Sequence, residues 1–280
     1  MVEIRDCINQ KKFVAFLKNI GIDVHLNTKA RGHSGFCTGK RIDVSKNLPQ
    51  NRVIEVLLHE FAHFVHFKLE PELIKSHGTL SVLFDTDEVN SIAEELFQIT
   101  LIVFDTVDIR KINRLKDAVN EKIKEERVVI KEDYPDFAVN KKFKEFDRYI
   151  RHSKAKYLLK YDCVIIRGGW FAKDETISVK SIEKDFPAMP KAFAAYIKMK
   201  SNERKRNRLN ARVSKIKRYL KQPTELFARF FQLYCCDIET VKSLAPIAYS
   251  RFEELRKKSY YPYLEEFFSE CVENSLFQTY

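Results

Sequence analysis

Apolar residues recur at helical spacing over long tracts of this chain and alternate only briefly. Ile8, Phe13, Phe16, Leu17 and Ile20 mark a helix over about 6–20, stopped by Gly21. Two short β candidates follow, Ile22 to Leu26 and Gly39 to Val44. Asn47 and Pro49 then open a helix, since a proline in the first turn loses no hydrogen bond, and it runs to about Leu69, before Pro71. Further helical patterns cover about 86–104, 109–127 and 139–151. A β-like Cys163-Val164-Ile165-Ile166 stops at Gly168-Gly169, and from about 180 onward helices are punctuated by Pro187, Pro190, Pro223, Pro246 and Pro262. The seven glycines leave long stretches without the most flexible residue, which favours long helices. The expected class is α+β, predominantly helical, with a small sheet next to the helix that ends at Leu69.

That helix carries the chemistry. Within Val56-Leu57-Leu58-His59-Glu60-Phe61-Ala62-His63-Phe64-Val65-His66, two histidines stand at i and i+4, the spacing that aims two imidazoles from one helix face at one metal ion. Glu60 lies about 100° around the helix from His59, where its carboxylate can serve a water rather than the ion, as a general base. Chance alone would produce such a motif in roughly one or two chains per hundred of this length. The apolar surroundings lower that further, because a buried helix places both imidazoles inside the fold and buried imidazoles need partners. His66 stands roughly 10 Å from His59 along the axis, too far for the same ion, and is expected nearby or at the surface.

Residues 39–66, GKRIDVSKNLPQNRVIEVLLHEFAHFVH, resemble the strand, loop and active-site helix of the zincin metallopeptidases. The resemblance implies a zincin-like core, a Zn2+ cofactor, hydrolysis of a protein or peptide substrate, and Arg41 to Val44 as an edge strand beside the helix. His66 and Leu69 stand where the metzincin pattern needs Gly and His, which excludes that class. Gluzincins instead take a third ligand from a later helix, and Glu225-Leu226-Phe227-Ala228 fits their E-x-x-A pattern. The surrounding PTELFAR segment, Pro223 to Arg229, also resembles part of a domain of phage and plasmid polyvalent proteins.

Glu225 is therefore the favoured third ligand, although a glutamate two residues after Pro223 also suits the positive end of a helix dipole. Glu95 and Glu88 are its rivals. They lie in a segment similar to the second helix of phage-repressor-cleaving gluzincins and flank Ile92 and Ile99, but they also fit the ordinary charged flank of an amphipathic helix. His77 and His152 are weaker candidates.

Charge adds a second theme. The chain has 50 Lys and Arg against 39 Asp and Glu, a formal +11. The densest run, Lys198 to Lys221, holds Arg204, Lys205, Arg206, Arg208, Arg212, Lys215, Lys217 and Arg218 with Glu203 as its one acid. It reads either as a surface for nucleic acid or another acidic partner, or as a solvated helix with Leu209, Val213, Ile216 and Leu220 packed inward. The C-terminal aromatics are expected in the core, with a tyrosine or Arg229 available to support an oxyanion.

Six cysteines without C-x-x-C spacing read as reduced core thiols, and the absence of a leader or of a membrane-length apolar run points to the cytosol with no membrane contact. The expected organisation is a zincin-like part over 1–106, a helical insertion with a short β segment over 107–200, and a helical C-terminal part over 201–280 that supplies the third ligand. The leading function is zinc metallopeptidase, with His59, His63 and Glu225 on the metal and Glu60 as base. Its rivals are a nucleic-acid-binding or regulatory protein of a mobile element with a structural or relic metal site, and a protein-interaction module with an empty site.

Overall fold

The computed structural model describes residues 8–28, 34–72, 78–103, 107–152, 163–166, 168 and 175–272. It is mostly helical with a small mixed sheet. The chain divides into two compact units: residues 1–105 with 217–280, and residues 106–216. The boundary at residues 216 and 217 falls within one unbroken helix, α8 (Lys191–Leu220).

In the first unit, α1 (Gln10–Asn19) begins under an Asn9 cap whose side chain accepts from the Lys11 and Lys12 N–H groups, satisfying two donors that the first turn leaves open. Strands β1 (Asp23–Thr28), β2 (Gly35–Cys37) and β3 (Arg41–Ser45) form a sheet in the order β1-β3-β2. Strand β1 runs parallel to β3, and β2 antiparallel to it. Arg41 to Val44, expected at the edge, is thus central, and β2 is the edge strand packed on the motif helix. Strand β2 escaped prediction because Gly-Phe-Cys is too short to show an alternating pattern.

After a 3-10 turn, α2 (Val53–Leu69) carries the HExxH motif. The chain continues through α3 (Leu80–Phe84) and α4 (Val89–Val103), and returns after the second unit as α9 (Pro223–Cys236), α10 (Ile238–Leu244), α11 (Pro246–Lys257) and α12 (Leu264–Cys271). The core is built on aromatic rings. Phe61 on α2 meets Phe13 and Phe16 of α1, Phe231 of α9 and Phe267 of α12 at ring-centroid distances of 5.2–6.1 Å. Each such burial is worth about 1.5–3 kcal/mol. Ala228 is fully buried where α9 packs along α2, and a side chain that small lets the two backbones draw close.

The second unit contains α5 (Val107–Asp133), α6 (Lys141–His152), the antiparallel pair β4 (Cys163–Ile166) and β5 (Glu175–Ser178), α7 (Ile182–Asp185) and most of α8. Its main core gathers Val119, Ile123 and Ile130 of α5, Phe143 of α6, and Ala192, Tyr196 and Met199 of α8. Among the described residues no helix is long and apolar enough to cross a membrane. Cys235, Cys236 and Cys271 are buried thiols and Cys37 is half-buried, but Cys163 is exposed on β4 and does not belong to the core. Cys7 and His77 lie outside the described residues.

His66 is fully buried rather than at the surface. Its Nε2 donates to Glu70 at 2.7 Å, and Glu70 accepts from the Thr79 backbone N–H at 2.8 Å and the Thr79 hydroxyl at 3.0 Å. The carboxylate thereby ties the end of α2 to the start of α3. Glu70→Ala leaves a buried imidazole and a backbone donor unpaired, so chemical denaturation should show a loss of about 2 kcal/mol, while bound metal per chain stays unchanged.

Candidate metal centre

His59 and His63 stand one turn apart on α2 and turn their Nε2 atoms toward each other at 3.2 Å, with the rings nearly perpendicular. Glu225 occupies the first turn of α9, which Pro223 opens. Its Oε1 lies 3.4 Å from His63 Nε2 and its Oε2 3.6 Å from His59 Nε2. Donor atoms from all three residues lie within 4.8 Å of one another. A tetrahedral ion with donors at about 2.1 Å separates those donors by about 3.4 Å, and the Nε2–Nε2 separation and the two Nε2–O separations, each carboxylate oxygen facing a different histidine, lie close to that edge length. Two imidazoles and a carboxylate suit zinc chemically, and three protein donors leave a fourth position for a reacting group. The residues present fit a metal ion.

The pocket's electrostatics favour the metal-binding forms of two ligands. Burial, reinforced by the neighbouring His63, pushes the His59 imidazole down to about 3 and keeps it neutral. Burial opposes ionisation of Glu225, but His63, His59 and Arg229 outweigh it and hold the carboxyl at about 2. Burial likewise works against a charge on His63, yet the Glu225 hydrogen bond and charge draw its imidazole above its ordinary value.

Helix α9 supplies more than the ligand. Arg229, one turn on, donates from Nη2 to Glu225 Oε2 at 3.0 Å. Gln232, seven residues after Glu225 on the same side, interacts with the His59 ring. The buried His59 Nδ1 nevertheless lacks a partner in good hydrogen-bond geometry among the described residues. The Tyr219 hydroxyl, at the end of α8, also hydrogen-bonds Glu225. Arg229 and Tyr219 are thus both engaged with the Glu225 carboxylate.

Glu60 is buried, and its carboxyl is pushed up to about 7, chiefly by burial. Its environment depends on Gly35 of β2. A Cβ there would lie 2.5 Å from Val56 Cγ1 and 2.7 Å from Glu60 Oε1, so only glycine lets the edge strand close over this carboxylate. Gly35, Gln232 and Tyr219 were not singled out in the sequence. Gly35 and Gln232 act through contacts with α2, an element removed from their own, and Tyr219 acts across the turn between α8 and α9, which no periodic pattern describes.

The rival acids lie elsewhere. Both Glu95 oxygens accept backbone N–H groups that open α11, Ile247 at 3.2 Å and Ala248 at 2.9 Å. Glu95 is a capping group supplied by another helix, matched to the positive end of the α11 dipole. Glu88 is exposed beside the start of α4, and His152 is exposed at the end of α6.

The two glutamates separate cleanly in a metal assay. Glu225→Ala should lower bound zinc from one equivalent to below a tenth after dialysis, read by atomic emission. Glu95→Ala should keep its zinc while losing about 0.5–2 kcal/mol of stability through the lost cap. No family model matches the chain, and no curated protein or solved structure gives a significant match, so the metal reading rests on this geometry.

Proposed function

We propose that this chain is a zinc-dependent metallopeptidase of the gluzincin kind, hydrolysing peptide bonds in a protein or peptide substrate. The observation that carries the reading is the convergence of His59, His63 and Glu225 beside a buried, independently placed carboxylate, Glu60. Zinc held there would supply Lewis acidity, lowering the pKa of a water toward neutrality and polarising the scissile carbonyl.

The chain's own residues take the remaining roles. Glu60, with its carboxyl raised toward neutral pH, takes a proton from the attacking water and returns it to the leaving amine. Arg229 steadies Glu225 through its Oε2. Substrate binding is supported by strand β2. Phe36 pairs with Asp43, and Ser34 and Thr38 bond backbone groups of Ser45 and Arg41, so alternation turns the backbone N–H and C=O of Gly35 and Cys37 away from β3. Among the described residues no strand pairs with that side of β2. An extended peptide laid there would gain ladder hydrogen bonds beside Glu60.

Two variants test the roles. Glu60→Gln should fold, retain one equivalent of zinc, and lose cleavage of a quenched-fluorescent peptide library by about 100-fold or more. A zinc-loaded variant that cleaves at the wild-type rate overturns the proposal, as does a zinc-loaded wild type that cleaves nothing in a library of proteome-derived peptides. Gly35→Ala should also keep its zinc while displacing Glu60 and the edge strand. Its expected loss is about 100-fold in kcat/KM, the cost of misplacing a reacting group by about 1 Å.

A further inference from the structure

Helix α8 differs from α5, the other helix of more than 20 residues among the described residues, in how its charges are arranged. Between residues 204 and 218 it carries eight cations and no acid. Helix α5 offers the contrast: residues 110–132 hold eight cations and five acids, interleaved as solvated helices usually are. Four of the α8 cations, Arg204, Arg208, Arg212 and Lys215, recur at intervals of four, four and three residues. At 100° per residue they fall within about 80° of one another, forming a row about 17 Å long. All four are exposed, and none pairs with an acid among the described residues. The nearest acid in the sequence, Glu203, is already engaged by Arg127 and Lys200. The half-buried Leu209, Val213 and Ile216 lie on another side of the helix, as does Arg206, which shares a cavity with Asp117 and Glu121 of α5.

Neighbouring like charges at i,i+4 destabilise a helix by a few tenths of a kcal/mol per pair, and here nothing within the described structure relieves them. A partner bearing a regular row of negative charge does. We infer that this face of α8 binds the phosphate backbone of duplex nucleic acid, without reading its sequence. A row about 17 Å long spans the rise of about five base pairs. Residues 204–216 contain no aromatic side chain, which removes the stacking platform that single-strand binding uses. A membrane surface would need the apolar side of the helix, which is turned into the protein instead. The inference is independent of the peptidase reading, because none of these residues belongs to the metal centre.

The test is fluorescence anisotropy of the full chain with 20-base-pair DNA and RNA duplexes of scrambled sequence, titrated across salt concentration. Four phosphate contacts give a slope of log K against log salt of about −3.6 for DNA. R204Q/R208Q/R212Q/K215Q should flatten that slope to near zero and weaken binding at least about tenfold at low salt, and the single variant R208Q should reduce the slope by about 0.9. Unchanged circular dichroism and zinc content in these variants show that the fold is intact. Binding to either duplex supports the inference and names the nucleic acid. Failure to bind both duplexes overturns it, as does wild-type affinity in the quadruple variant. Tighter binding to a single strand, to polyglutamate or to phosphatidylserine vesicles also overturns it.

Discussion

The packing of α9 along α2 is the constraint on which the first unit depends. HExxH on its own supplies two donors, and a two-donor site on a helix surface holds zinc weakly. The third candidate donor, Glu225, stands on a helix more than 150 residues later and is brought alongside by the packing of α9 on α2, where Phe61 meets Phe231 at 6.1 Å. The same contact desolvates the site. It helps keep His59 neutral, so the packing that gathers the candidate donors also sets the state of one of them, and the burial that raises Glu60 is completed by β2. Helix α9 presents Glu225, Arg229 and Gln232 along one side, the carboxylate toward the histidines, Arg229 on that carboxylate and Gln232 by the His59 ring.

The parts legible in the sequence are those governed by local periodicity and local chemistry. The i,i+4 histidines, the helix ending before Pro71, the proline-led α9 and the run of aromatic core positions all follow rules that act within a few turns. Glu225 was legible only as a pattern on a suitable helix, since the same residue also serves as a favourable charge in the first turn of α9. Glu95 shows the converse. On its own helix it looks like a flanking acid or a ligand, and its actual role, capping α11, involves residues about 150 positions away. His66 likewise could be removed from the ion by helix geometry, but its burial against Glu70 and Thr79 depends on the turn after α2, which no pattern announces.

The sheet was misjudged for a related reason. Arg41 to Ser45 has the alternation of a strand with one buried face, with Ile42 and Val44 inward, and so was visible. Alternation says nothing about whether a strand lies at the edge or in the middle, because that depends on which neighbours pair with it. Three residues, Gly35 to Cys37, pair outside it and take the edge position. Their shortness hides them from any periodicity, yet they determine what surface the sheet offers to a partner.

That edge and the Glu60 carboxylate are mechanically one feature. Strand β2 can approach α2 only where its residue 35 has no side chain, and the space so released is the space in which the Glu60 carboxylate is shielded from water. Shielding raises the carboxyl toward neutrality, which is what a general base working at neutral pH requires. The backbone groups of Gly35 that face away from β3 are at the same time the ones an extended peptide would pair with. On the proposed function, a peptide aligned on β2 would be registered against the Glu60 carboxylate through a backbone contact rather than through a chain of flexible side chains. Positioning of this kind loses little to motion, because strand, glycine contact and helix are all parts of one packed core.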